Sequence, residues 1–371
     1  MGVIKIKRID DRDFASIGHI WDKVCAEDSA NIFQMFDWAC NWWKAYGYNK
    51  ELLMLVVTDG DSPIAIAPLI VTRGPFNRIP ARKVEFMYRT NFIIRYRKED
   101  VIREVLNYLK GIQRSWDIID FSGMDYDLEI IDLLEKEARR SGFSFLVKDG
   151  LPYPYVDMGI PWEEYWASRS NKLKKNLRYS YRLMERMGDM NIDFNTYNNS
   201  QSQEVKKVAL EKMFALSLKG WKAKAGIAVG SSKESRDFCR GLMEIFSKKG
   251  KVMILFLEHK GIPVSFAMGV MYRNVYYFFK TGYDEEYAKM SPGNILMHSS
   301  LKTVSNNGVI RVELLKGMFP QKRIWLTGIN RKARVIIFRK SLHSRILKFS
   351  ETHLRQWLGL NNKGDKHVKD K

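Results

Sequence analysis

The stretch "VMILFLEHKGIPVSFAMGVM", residues 252–271, decides the fold of this 371-residue chain. An apolar run ends in a polar turn that contains Gly261, and Pro263 then opens a second apolar run. Two apolar runs around a short glycine turn predict a β-hairpin, and a proline is tolerated at a strand start, where its missing N–H disturbs few hydrogen bonds. The stretch therefore predicts two central antiparallel strands.

The same pattern occurs much earlier in the chain, in "LLMLVVTDGDSPIAIAPLIV", residues 52–71, with Gly60 and Pro63 in matching places. Behind each hairpin the sequence predicts a helix and then a strand, over residues 100–114 and 116–124 in the first half and 294–306 and 309–318 in the second. Both halves thus follow one mixed α/β pattern, which suggests an internal duplication. Chance similarity of two hairpins is the alternative.

The length of the chain predicts two domains, because one domain typically takes about 150 residues. A segment rich in proline and glycine, residues 149–162, is the predicted join. We expect an N-terminal domain over residues 1–155, a C-terminal domain over 156–345 and a basic tail over 346–371 whose end is disordered. The second domain is predicted to begin with one long helix over residues 162–187.

Charge is the unusual bulk property, since 62 basic and 42 acidic residues give a net charge of +20. Such a field attracts polyanions, although a merely soluble surface without a dedicated partner is an equally good interpretation. The three cysteines are scattered, no apolar stretch reaches the roughly 18 residues of a membrane span, and the N-terminus lacks a signal-peptide core. These features predict a cytoplasmic protein.

The sequence Ser291-Pro292-Gly293 precedes the predicted helix of the second half. Proline favours the first helical turn, whose free N–H groups carry partial positive charge and attract phosphate. The matching place in the first half, residues 89–100, contains no glycine, so a phosphate has less room to approach the backbone there. The second half is therefore the candidate ligand domain and the first a scaffold. An ordinary helix boundary is the alternative.

Three stretches carry a more specific resemblance: "GWKAKAGIA" (220–228), "TGYDEEYAKMSPGNIL" (281–296) and "VELLKGMFPQKRIW" (312–325). Together with "APLI" (67–70) and "QMFDWACNWW" (34–43), they span nearly the whole chain in order. The chain resembles the CelD/BioF2-like acetyltransferase family, a branch of the GNAT superfamily related to the Fem peptidyltransferases. The resemblance implies a mixed-sheet α/β fold with two tandem GNAT-like acyl-CoA N-acyltransferase domains.

The resemblance also implies acetyl-CoA as the acyl donor. Independently of the resemblance, the scattered histidines and the lack of HxH, HExxH or CxxC spacings predict no metal site. Residues flanking the donor phosphates would be Ser291, Pro292, Gly293 and Asn294, with Trp221, Lys222 and Gly226 lining the acceptor or donor cleft and Lys322 at its rim. Two departures put the last motif in doubt, since Glu313 stands where aspartate is usual and Met318 where a polar residue is commoner. For Trp221 and Lys222 a core tryptophan beside solvated lysines is the alternative.

Acyl transfer to an amine requires a neutral nucleophile, a stabilised oxyanion and a proton for the leaving thiolate. Candidates for the base are Glu313 and Asp284, and candidates for the acid are Tyr283 and Tyr287. An ion pair is the alternative role for Glu313, and an amine that arrives deprotonated needs no base. The family resemblance implies as acceptor a small molecule, or a glycan or peptide of the cell envelope.

A cationic stripe is predicted on one helix face, with Lys174, Arg178, Arg182 and Arg186 at i, i+4 spacing. It suits a nucleic acid, an anionic polysaccharide or an anionic membrane surface, and a solvated face is the alternative. Because Fem relatives use aminoacyl-tRNA as donor, a Fem-like transferase is a second functional hypothesis. A third is a non-catalytic polyanion-binding protein on a GNAT scaffold. Metal, Rossmann and P-loop motifs are absent from the sequence.

Overall fold

The computed structural model describes residues 2–25, 31–197 and 200–354. The chain divides into two compact units, the first formed by Met1–Leu151 with Arg331–Lys371 and the second by Pro152–Asn330. Each unit is a mixed β-sheet covered by helices. The predicted α/β fold with mixed sheets is confirmed. No helix in the described residues is long and apolar enough to cross a membrane.

The strands of the described residues are β1 (Ile4–Ile9), β2 (Glu51–Asp59), β3 (Ser62–Phe76), β4 (Ile79–Phe86), β5 (Ile93–Ile94), β6 (Ile118–Asp125), β7 (Ser144–Asp149), β8 (Tyr153–Asp157), β9 (Met190–Tyr197), β10 (Lys251–His259), β11 (Ile262–Tyr272), β12 (Val275–Tyr283), β13 (Arg311–Glu313), β14 (Gly328–Asn330) and β15 (Lys332–Phe338).

The α-helices are α1 (Asp11–Phe14), α2 (Gly18–Val24), α3 (Phe36–Tyr46), α4 (Lys98–Gly111), α5 (Leu128–Arg140), α6 (Trp162–Ala167), α7 (Asn171–Met187), α8 (Gln203–Ser217), α9 (Trp221–Lys224), α10 (Lys233–Lys249), α11 (Pro292–Asn306), α12 (Pro320–Arg323) and α13 (Leu342–Phe349).

The two sheets have the same strand order. The first runs β1-β2-β3-β4-β6-β15-β7, and the second, read from its β9 edge, runs β9-β10-β11-β12-β13-β8-β14. Both predicted hairpins are present, and each has a register shift at the equivalent position, between Val57 and Thr58 and between Leu257 and Glu258. A shared irregularity of this kind supports an internal duplication, because bulges are retained as specific features of a fold.

The positions of β15 and β8 differ from the predicted domain limits. In the first unit β15 lies between β6 and β7 and is antiparallel to both, although it follows β14 in the chain. In the second unit β8 lies between β13 and β14 in the same way. Residues 331–345, expected in the second domain, thus lie in the first unit, and residues 153–155 lie in the second. Each sheet is completed by a strand that the order of the chain assigns to the other half.

Two predicted elements differ from those observed. The long helix expected over residues 162–187 is two helices, α6 and α7, because Ser170 adopts an extended conformation and its hydroxyl accepts a hydrogen bond from the Leu173 N–H (3.2 Å). The strand expected over 309–318 is shortened to β13. Leu315 and Gly317 have φ of 61° and 94°, which end a β conformation.

The basic tail is partly packed into the first unit. After α13, a π-helical turn covers Ser350–Leu354, and Glu351 is only 1% exposed. Its carboxylate is paired with Lys148 (2.9 Å) and Arg334 (3.4 Å). Residues 346–354 are thus an ordered part of this unit, and the predicted disorder at the end of the tail concerns residues 355–371, which lie outside the described residues.

The core of the second unit positions its candidate site. One face of the sheet contributes Met253, Leu255, Tyr276 and other apolar residues to a cluster that includes α11 residues such as Ile295. The opposite face is covered by α8 and α10, whose buried residues are mostly apolar, for example Phe214 on α8. As a result, the first half of β12 and the start of α11 are both held by buried apolar contacts.

Candidate functional site

Two parallel strands of the second unit separate after a short paired segment. Residues Val275–Tyr277 of β12 pair with Arg311–Glu313 of β13. Beyond this point the chain after β13 turns towards β8, where the N–H groups of Leu314 and Gly317 donate to carbonyls of Pro154 and Pro152 (both 2.9 Å). In the described residues, no strand pairs with the remaining length of β12 on this side. The divergence opens a gap in which an extended ligand could lie between two backbones.

A β-bulge marks β12 within this gap. Gly269 of β11 pairs with Phe278, and the neighbouring Met268 pairs with Lys280, so the register between the two strands shifts at Phe279. Bulges re-aim side chains and backbone groups and are common next to active sites. Phe279 and Lys280 were not among the residues predicted for the site, although a lysine inside the apolar strand "VYYFFKTGY" is a recognisable signal.

The start of α11 has the features expected of an anion site. Ser291 adopts a left-handed conformation (φ 50°), Pro292 occupies the first helical turn, and the Asn294 N–H donates to the Ser291 carbonyl (2.9 Å). A Cβ atom added to Gly293 would meet nothing within 4 Å. The first turn contains no acidic residue. The positive end of the helix is therefore open to a negatively charged group.

The equivalent helix start in the first unit is occupied by the protein's own charges. Arg97 precedes α4 in the same left-handed conformation (φ 58°) and pairs with Asp59 (3.1 Å) and Asp100 (2.6 Å). Glu99 and Asp100 lie in the first turn of α4. These carboxylates interact favourably with the helix dipole and would repel a phosphate.

The strand divergence in the first unit is filled by aromatic rings. Phe86 of β4 stacks on Phe121 of β6 with ring centroids 4.3 Å apart, and Phe92 contacts both rings edge-on. All three side chains are buried. Since β4 and β12 occupy the same place in their sheets, the two units differ where an extended ligand would enter.

The structure places Trp221 and Lys222 against the end of β12. The preceding Gly220 lies so close to this strand that an added Cβ would be 2.8 Å from the Tyr283 carbonyl oxygen. The Lys222 ammonium donates to the Thr281 carbonyl oxygen (2.6 Å), whereas Trp221 is 47% exposed. Trp221 is therefore not a core residue, and Lys222 is held at the strand rather than in solvent. Gly226, also predicted for the cleft, has φ of 68°.

Glu313 is engaged in a polar network at the closed end of the strand divergence. Its carboxylate accepts hydrogen bonds from Arg311 Nε (2.7 Å) and from the Asn330 amide (3.2 Å). The Arg311 guanidinium also lies over the Tyr155 ring, 3.6 Å from its centroid. This is the ion-pair role that the sequence left open for Glu313.

Asp284, Tyr283 and Tyr287 lie at the other end of β12. The Asp284 carboxylate accepts from the Glu286 N–H (3.1 Å), pairs with Lys219 (3.2 Å) and thereby caps a 3-10 helix over Glu285–Met290. The Tyr287 hydroxyl is hydrogen-bonded to His259 Nδ1 (2.9 Å). In the described part of the chain, the Tyr283 hydroxyl has no hydrogen-bond partner.

Glu313 and Tyr283 are not brought together. Glu313 is opposite Tyr277 on β12, and Tyr283 is six residues further along that strand. At about 3.3 Å per residue, their backbones are roughly 20 Å apart. The two side chains therefore cannot form the hydrogen-bonded acid–base pair that a compact catalytic site would require.

Lys322 on α12 borders the loop after β13. Its ammonium donates to the carbonyl oxygens of Leu315 and Lys316 (both 3.1 Å) and lies 5.4 Å from the centre of the Phe319 ring. These contacts supply hydrogen-bond donors to two backbone carbonyl oxygens in the loop that follows β13. Lys322 thus holds the loop that bounds the gap, and its role at the rim of a ligand cleft stays a prediction.

The predicted cationic stripe forms most of an exposed face of α7. Arg178, Arg182 and Arg186 are exposed, and no carboxylate in the described residues lies within 4.0 Å of their guanidinium groups. Lys174 differs, because its ammonium donates to the Ala167 carbonyl (2.7 Å). The helix therefore presents three unneutralised arginines in one line.

Comparison with protein families identifies the class of this domain. Residues 171–323, which include β12, the start of α11 and β13, match the acetyltransferase (GNAT) domain family. The second unit therefore contains a GNAT-like domain. No curated protein sequence matches the chain significantly.

Solved structures show the same fold over both units. FemX is 11% identical, with a TM-score of 0.57, and the match covers 94% of this chain and 100% of FemX. L-PGS from Bacillus licheniformis is 15% identical, with a TM-score of 0.53 and coverages of 92% and 96%. A tandem GNAT protein from the clavulanic acid biosynthesis pathway is 11% identical, with a TM-score of 0.51 and coverages of 91% and 98%. The chain has a tandem GNAT-like fold.

Proposed function

We propose that this protein transfers an acetyl or other acyl group from acyl-CoA to an amine or hydroxyl acceptor, with the donor bound in the second unit. The observation that carries the proposal is the open start of α11 at Gly293, next to the diverging strands β12 and β13. Helix N–H groups bind phosphate, and a gap between two strands suits an extended thiol arm. The match to the GNAT domain family over this region supports the same assignment.

In this proposal Ser291–Asn294 bind the donor phosphates and Trp221 packs on an apolar part of the donor or acceptor. The acceptor attacks the thioester carbon directly, so that the C–S bond breaks as the new bond to nitrogen or oxygen forms. Backbone N–H groups of β12 next to the Phe279 bulge would hold the developing oxyanion. No covalent enzyme intermediate is required.

The proton transfers are assigned from the hydrogen bonds already made. Glu313 and Asp284 are both paired with cations, so we assign the acceptor amine as neutral on arrival rather than deprotonated by either carboxylate. Tyr283 is the candidate proton donor to the thiolate because its hydroxyl is uncommitted in the described residues. The proton that the acceptor nitrogen or oxygen loses on acylation restores the Tyr283 hydroxyl, so the products are the acylated acceptor and coenzyme A as its thiol. The Tyr287 hydroxyl is already bonded to His259.

The finer identity of the transferase rests on the sequence resemblance. The motifs over residues 220–228, 281–296 and 312–325 support the CelD/BioF2-like branch and, by association with it, a cytoplasmic enzyme that acylates a sugar or peptide of the cell envelope. Fold similarity alone does not identify the acceptor.

The proposal predicts that acetyl-CoA and coenzyme A bind the full chain, because both carry the phosphates assigned to the α11 start. Isothermal titration calorimetry measures this directly. We expect one donor per chain with a Kd between about 1 μM and 1 mM, the usual range for enzyme substrates. Absence of binding at millimolar ligand would contradict the proposal.

A second candidate function is Fem-like transfer of an aminoacyl group from tRNA, and the three unneutralised arginines on α7 favour it. In that case tRNA binds in a strongly salt-dependent manner and coenzyme A does not. Changing Arg178, Arg182 and Arg186 together to Gln should reduce the slope of log K against log salt by about 2 to 3, because about one counterion is released per phosphate contact. Filter binding at several salt concentrations gives the slope.

The matched control for this variant is Arg139→Gln with Arg140→Gln on α5, where each arginine is close to a carboxylate. This control should leave the slope nearly unchanged. If the α7 variant also leaves it unchanged, this face does not contact tRNA.

A further inference from the structure

Four lysines surround the junction between α9 and the end of β12. Two of them form ion pairs with carboxylates and two do not. Lys219 is paired with Asp284 (3.2 Å), and Lys224 is paired with Glu285. Lys222 and Lys280 have no carboxylate within 4.0 Å in the part of the chain that the structure describes. Lys222 and Lys280 therefore form a local excess of positive charge beside the candidate site.

Lys222 is held in place by neutral groups only. Its ammonium donates to the Thr281 carbonyl oxygen (2.6 Å) and lies 3.5 Å from the Thr281 hydroxyl. Burial of the side chain lowers the pKa of Lys222, and the nearby positive charge of Lys280 lowers it further. A partly buried cation with a like charge next to it is unfavourable unless an anion compensates it.

The pair lies on the sheet face opposite α11. Tyr276 and Phe278 of β12 belong to the apolar cluster that includes α11, whereas Lys280 pairs with Met268, a buried residue outside this cluster. A donor whose phosphates bind at the start of α11 would extend its thioester into the strand gap from the α11 side. The face that carries Lys222 and Lys280 is then the side from which an acceptor reaches the thioester.

We propose that Lys222 and Lys280 bind an anionic group, a carboxylate or a phosphate, of the acceptor. The inference rests on the proposed function for its assignment to the acceptor, and on the uncompensated charges alone for the presence of an anion site. It assigns Lys222 to the acceptor side of the cleft, where the sequence resemblance left the acceptor and the donor both open. A positively charged subsite next to the acyl group would select anionic amines or alcohols over neutral ones of the same size.

The test measures anion binding to the full chain by calorimetry, with inorganic phosphate and acetate as probes at constant ionic strength. We expect saturable binding of at least one probe, weakened about tenfold or more in Lys222→Met and in Lys280→Met. Lys224→Met is the matched control, because Lys224 already has a carboxylate partner, and it should bind as the wild type does. Comparing phosphate with acetate distinguishes the two anion classes. A wild-type protein that binds neither probe, or variants that bind as the wild type does, would overturn the proposal.

The acetyl-CoA affinity of the same variants separates acceptor from donor. We expect the Kd of Lys222→Met for acetyl-CoA to stay within about threefold of wild type. A loss of acetyl-CoA binding in parallel with the loss of phosphate binding would show that the pair holds the donor, which overturns the acceptor assignment. If the wild type binds phosphate but no acetyl-CoA, the proposed function fails while the anion site stands, so the two failures are distinguishable.

Discussion

Gly293→Val is expected to weaken acetyl-CoA binding by about 100-fold or more while leaving the melting temperature within about 2 °C of wild type. The valine side chain would occupy the open space over the first turn of α11, where a phosphate needs to approach the backbone. The fold should tolerate it, because an added Cβ meets nothing within 4 Å and φ is not in the left-handed region. Calorimetry with acetyl-CoA and thermal unfolding measure the two effects.

The control is Gly111→Val at the last residue of α4, where an added Cβ also meets nothing within 4 Å. This variant makes the same chemical change at a helix of the first unit, so its acetyl-CoA affinity should equal that of the wild type. Equal affinity of Gly293→Val and wild type would show that the donor phosphates lie elsewhere.

The fragment of residues 152–330 is expected to fold, whereas the fragment of residues 156–345 is not. The first contains every strand of the second sheet. The second lacks Tyr153, Pro154 and Tyr155, which are the register partners of all three residues of β14. It also carries the apolar strand β15 without the sheet in which it is buried. An unpaired apolar strand promotes aggregation.

Circular dichroism, thermal unfolding and size-exclusion chromatography of the two fragments test this prediction. We expect a cooperative transition and a monomer for residues 152–330, and no cooperative transition with soluble or insoluble aggregates for residues 156–345. Two fragments that unfold with the same cooperativity would show that β8 is dispensable for the second unit.

The contrast between the two units explains why only one is a candidate site. The sequence pointed to a missing glycine at residues 89–100, and the structure adds two physical reasons. The helix start there already has Glu99 and Asp100 in its first turn, and three phenylalanine rings close the strand divergence. In the second unit the first turn of α11 has no acidic residue and is open at Gly293, and in the described residues no strand pairs with β12 beyond Tyr277 on this side.

The candidate site was predictable in part. Ser291, Pro292 and Gly293 were identified because a proline and a glycine before an apolar run are local signals of a helix start. The roles of Glu313 and Asp284 were not predictable, because Arg311, Asn330 and Lys219 reach them only through side-chain contacts in the folded chain. The Phe279 bulge depends on the register between β11 and β12, which the sequence of either strand does not specify.

The sequence by itself determined the elements that short-range patterns encode: the two hairpins, the helices behind them, their repetition and the open glycine at the start of α11. Only the tertiary structure decided which strand completes each sheet, that Glu313 and Tyr283 lie at opposite ends of a strand divergence, and that Lys222 lies at Thr281 beside Lys280. The physical reason is that helical and strand periodicity follow from neighbouring residues. Strand partners and ion pairs are instead chosen among groups that are distant in the chain and are decided by the packing of the whole unit.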